Sequence, residues 1–105
     1  MSHAQRMQAE ISRRLHDAWD AILATEDGRL VLHDLLGRCG LYSSTYADGA
    51  LSAYLEGRRS VALDLLREFL LPQGARCHAA MLIEAEDRAM EIRAAEEADE
   101  RERDV

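Results

Sequence analysis

Residues that break helices are confined to a few places in this chain. That confinement limits the folds open to it more than any other feature. Pro72 is the one proline in 105 residues. Three of the six glycines fall in a single stretch, "GRCGLYSSTYADG", residues 37–49, which also holds Tyr42 and Tyr46. Elsewhere Ala, Leu, Glu and Arg dominate, and these are strong helix formers. An all-β sandwich would need more turns and more β-branched and aromatic residues. The expected fold is all-α, a compact bundle of about four helices with a long C-terminal helix, and it is expected to oligomerise.

The apolar spacing supports this reading. Ile11, Leu15, Ala18, Trp19 and Ile22 recur every three or four residues within a segment from about Ser2 to Ala24, so they share one helix face. "TEDGR" then supplies Thr25 as an N-cap, with Glu26 and Asp27 suited to the positive end of a helix. A short second helix follows to about Arg38, with Leu30, Val31, Leu32, Leu35 and Leu36 spread so widely that much of it must be buried. Gly40 suits the left-handed residue that closes a helix.

Ser43, Ser44 and Thr45 bond locally and compete with helix. Asp48 is the expected N-cap of a third helix, from about Gly49 to Leu70. Leu51, Tyr54, Leu55, Arg58, Ala62, Leu65, Leu66 and Phe69 form its broad face. Gly57 costs about 1 kcal/mol relative to Ala in mid-helix, which usually marks a close crossing or a break. Pro72 and Gly74 make a turn. The last helix runs from about Ala75 to Arg103, with an expected stripe of Leu82, Ala85, Ala89 and Ile92 flanked by Met81 and Met90. The expected organisation is one helical domain, residues 1–95, and a charged acidic tail or helix extension, residues 96–105.

The formal net charge is −7, and the last ten residues carry −4 of it. A broad nucleic-acid-binding face needs clustered positive charge and is not expected, nor is direct sequence-specific contact with nucleic acid. All thirteen of the Lys+Arg residues are Arg. A GC-rich coding sequence would explain that, as would a surface that makes bidentate contacts to carboxylates. Cys39 and Cys77 read as small reduced core residues rather than a disulfide framework. Met1–Glu10 is polar and does not read as a signal peptide. No apolar run approaches the ~20 residues that span a bilayer, so no membrane partner is expected.

Catalytic chemistry finds little support. His3, His16, His33 and His78 are scattered without the i, i+4 spacing of a helical metal site. Cys39 lies at a helix C-terminus, where the dipole disfavours a thiolate. No phosphate loop or nucleophile elbow is present. No enzyme, cofactor or metal is expected. Two acid–Gly–Arg sequences stand out, "DGR" at 27–29 and "EGRRS" at 56–60. Arg58 falls on an apolar face, where an unpaired guanidinium is costly. Its expected partner is an acid such as Asp34, the carbonyls of the bridge, or a group on another protein. Tyr is favoured at contact surfaces. Arg29, Tyr42, Ser44, Tyr46, Arg58 and Arg59 are therefore the candidate partner-binding residues.

"DGRLVLHDLLGRCGLYSSTY" followed by "LEGRRSVALDLLREFL" resembles a family of small tailed-phage proteins typified by the nineteenth product of a short-tailed Bordetella phage. The likeness covers about Asp27–Phe69 and weakens as far as Glu86. Its signature positions here are Gly28, Arg29, Leu32, Leu35, Leu36, Gly40, Tyr42, Ser44, Gly57, Arg58, Arg59 and Leu63. Ala62 stands where many members have Gly. The resemblance implies a product of the phage structural and packaging region and brings no established biochemical activity with it. The expected role is a non-enzymatic morphogenesis or virion protein, oligomeric, at the portal, head interior or another head–tail component. Its partners would be phage structural proteins, and its location the virion, the host cytoplasm or both. The alternative is a soluble regulatory binder, either a terminase or packaging accessory or an acidic inhibitor of a host defence protein.

Overall fold

The computed structural model describes residues 1–43 and 49–104. Four α-helices follow one another: α1 (His3–Leu23), α2 (Glu26–Arg38), α3 (Gly49–Leu65) and α4 (Ala75–Arg103). No strand occurs among the described residues. A π-helical turn, Leu66–Leu70, and a 3-10 turn, Leu71–Gln73, join α3 to α4.

Local chemistry sets the helix ends. Ser2 and Gln5 form a capping box, with the Gln5 amide donating to Ser2 Oγ at 3.1 Å and the Ser2 amide donating to Gln5 Oε1 at 2.8 Å. This satisfies two of the donors that a helix start leaves free. Thr25 caps α2 by accepting from the Gly28 amide at 3.0 Å. Gly40 follows α2 with φ +78°, and Gly74 precedes α4 with φ +99°. Both lie in the region that favours glycine. Asp48, Ser44 and Thr45 lie outside the described residues.

Gly28 has a different reason to be glycine. A Cβ at this position would lie 1.8 Å from the carbonyl oxygen of Ile22. The first turn of α2 is thus pressed against the last turn of α1, and no side chain fits between them. Gly57 lacks such a constraint: open space surrounds the position its Cβ would take, and α3 runs through it unbroken. The close approach expected there is absent. Ala62, fully buried five residues later, is the small residue that meets the core.

That core is small. Leu23, Leu32, Leu36, Ala62, Leu70 and Met81 form it, with Trp19, Cys39, Leu41, Leu65, Leu66 and Cys77 packed around. The π-turn lets two adjacent residues serve different neighbours. Leu70 enters the core, while Phe69 stacks on Trp19 of α1 with ring centroids 5.2 Å apart. α2 packs on α4 and α1, and α1 meets the π-turn.

Two sequence-based stripes face other directions than expected. In α4 the packed side chain is Met81, whereas Leu82 is 41% exposed and Ile92 60%. In α1 the packed residues are Trp19 and Leu23, while Ile11, Leu15 and Ile22 stay exposed. Beyond Arg88 every described residue of α4 is exposed, and before Ser12 every residue of α1 is. These two ends project as arms. The molecule measures 73 × 39 × 21 Å with a radius of gyration of 18.8 Å, against about 13 Å for a compact chain of this length.

Candidate functional site

Tyr42 follows the C-terminus of α2 and is held from two sides. Its ring lies 5.5 Å from that of His33 on α2, and its hydroxyl is 3.3 Å from Nε2 of His78 on α4. Partial burial pushes its phenol up from the ordinary value. The corner is thus tied to two helices through histidines that the sequence reading left scattered. No spacing could have joined them, because 45 residues separate His33 from His78.

Arg29 is engaged inside the molecule. Its Nε donates to Glu84 Oε1 at 2.7 Å and its Nη1 donates to the Leu23 carbonyl at 2.9 Å. Both side chains are about four-fifths covered. One guanidinium thereby joins α1, α2 and α4. The second carboxylate oxygen of Glu84 is enclosed and accepts no hydrogen bond from the described residues. A covered pair with an unsatisfied lone pair fixes geometry more than it adds stability. Cys77, two turns before Glu84 on the same side of α4, has its thiol pushed up, mainly by burial.

Arg58 lies over the ring of Tyr54, one turn earlier on α3, at 5.5 Å from the ring centroid. Asp34, one of the partners expected for it, pairs with Arg38 at 2.7 Å. Arg59 is half-buried beside it. Ser44 and Tyr46 lie outside the described residues. Leu51 (56% exposed) and Tyr54 (60%) lie on the same α3 face as Arg58. This is an open surface with an aromatic, an aliphatic and a cation at helical spacing, the composition of a contact patch.

Among the described residues, no three His, Cys, Asp or Glu side chains converge as a metal ion would need. Nor is any helix among them long and apolar enough to cross a membrane. Both cysteines are free and half-buried against the core.

Geometry therefore defines a small all-helical protein whose distinctive chemistry lies on its surface. It is a phage protein: residues 19–91 match the family described as Bbp19-like phage protein, and the chain belongs to that family. The match begins at Trp19, where α1 joins the core, and ends at Glu91, just past the last covered turn of α4. No curated protein and no solved structure matches the chain.

Proposed function

We propose that this chain is a non-enzymatic morphogenesis protein, acting through protein contacts at the portal, head interior or another head–tail component. One observation carries the reading. The chain exposes 7837 Å², whereas a compact protein of 11.8 kDa exposes about 5900 Å². The excess includes large apolar side chains on all four helices, such as Ile11, Val31, Tyr54 and Ile83, each more than half exposed. Surface of that kind marks interaction sites. The face of Leu51, Tyr54 and Arg58, with Tyr42 and Arg59 nearby in sequence, is the proposed docking surface for a phage structural protein.

The test is quantitative mass spectrometry of purified particles, with copies of this chain counted against the major capsid protein. A fixed small copy number is expected, and particles complemented with Arg58→Glu or Tyr42→Ala should contain less of the chain. Presence in infected cells with absence from particles would overturn the virion role and favour a terminase or host-protein partner.

A further inference from the structure

Helix α1 carries two apolar faces, and the core uses one. Ser12, His16, Trp19 and Leu23 lie on the side turned to the body, where His16 and Trp19 meet Phe69. About a third of a turn around the helix runs a second row: Ala4, Met7, Ile11, Leu15, Ala18 and Ile22. Its large members are 42–53% exposed. The row runs from Ala4 to Ile22, about 27 Å along the helix.

We infer that this row is the contact surface for a second copy of the chain, with the two α1 helices antiparallel. The inference rests on the reading of the chain as an assembly protein and names one of its partners. Two observations select the occupant. First, the excess surface of about 1900 Å² per chain is more than twice the ~800 Å² that each partner buries in a stable pair. Secondly, the row complements itself when reversed. Centred near Arg13, it places Ile11 against Leu15, Met7 against Ala18 and Ala4 against Ile22 of the partner helix. Large residues thus meet small ones at both ends, as interdigitating layers require. Beside the row, His3, Arg6, Met7, Glu10, Ile11 and Arg14 rim a hollow built by α1 alone. It is open to receive side chains from the second helix.

The experiment uses the full chain. Sedimentation at about 100 μM should give twice the chain mass. Ile11→Asp/Leu15→Asp should raise the dimer Kd by more than about 100-fold. Neither residue belongs to the core, so near-ultraviolet circular dichroism should still report the Trp19–Phe69 stack. Ile83→Asp, on an exposed face of α4, should leave the dimer intact. Orientation is read by mild oxidation. Ala4→Cys/Ile22→Cys should cross-link into covalent dimers, while either single variant and the parent chain should not. A monomeric parent chain overturns the inference. So does a dimer that survives Ile11→Asp/Leu15→Asp or is dissociated by Ile83→Asp, and cross-linking of Ala4→Cys alone would show a parallel pair. Particle counting tests the phage role and sedimentation tests the pairing, so either can fail without the other.

Discussion

The body and the arms of this molecule are made of the same helix-forming residues and are held by different physics. In the body, Leu32, Leu36, Leu70 and Met81 are fully enclosed, and each contributes about 1.5–3 kcal/mol by leaving water. In the arms, side chains bond along their own helix. Glu10 joins Arg13 and Arg14 in α1, and Arg103 joins Asp99 in α4. Such pairs are worth a few tenths of a kcal/mol each. The family match covers the body almost residue for residue and leaves out most of both arms. Tertiary packing decides the structure in one region, and helix propensity with local charge sustains it in the other.

This contrast is sharpest at Gly28. Gly28→Ala should lower stability by about 3 kcal/mol, because its Cβ would enter the Ile22 carbonyl and force α1 and α2 apart. Urea denaturation followed by Trp19 fluorescence measures the loss, and a change under 1 kcal/mol would mean that the helices do not approach as described. Glu84→Ala should cost about 2 kcal/mol in the same assay, since Arg29 keeps the Leu23 carbonyl but loses its counter-charge. Removing residues 93–105 should change the body's stability by less than about 0.5 kcal/mol while lowering total helicity, because none of the described residues in that segment reaches the core. A large loss of cooperativity there would abolish the distinction between body and arm.

The smallest expected effect is electrostatic. Hydrogen bonds from Arg13 and then Arg14 hold the Glu10 carboxyl down at about 2. A depressed carboxylate stabilises the fold above its unfolded value and ceases to do so as pH falls through its folded value. Helix α1 should therefore lose this support between about pH 4.3 and pH 2. Glu10 is exposed, so added salt should move its NMR titration midpoint back toward 4.3.

Much of the fold was legible in the sequence where the cause is local. Thr25 as a cap, Gly40 as a helix terminator and Pro72 with Gly74 as a turn rest on backbone chemistry within a few residues. The register of α4 was not legible. Met81, Leu82 and Ile83 are three apolar residues in succession, covering more than half the helix circumference. Only the contacts made by Met81 and Glu84 with other elements choose among them. Gly28 was visible as part of "DGR", but its reason is a carbonyl on another helix. The candidate surface was legible only in part. Tyr42 and Arg58 stood out by residue type, whereas the partners of Tyr42 come from α2 and α4. Arg29 was marked by the same motif and proves to be an internal tie.

The π-turn at Leu66–Leu70 bears on how this sequence can change. A helix carries a rotational phase, and each residue advances it by about 100°. The wide turn resets that phase between Ala62 and the chain that leads to α4. Point substitutions leave the reset in place, but a deletion of one residue between 66 and 70 would cancel it. Leu70 and Phe69 would then each point where the other's neighbour is not, and the core and the Trp19 stack would fail together. Sequence length in this segment is therefore under stricter control than residue identity, much as a reading frame constrains a gene more than any single codon does.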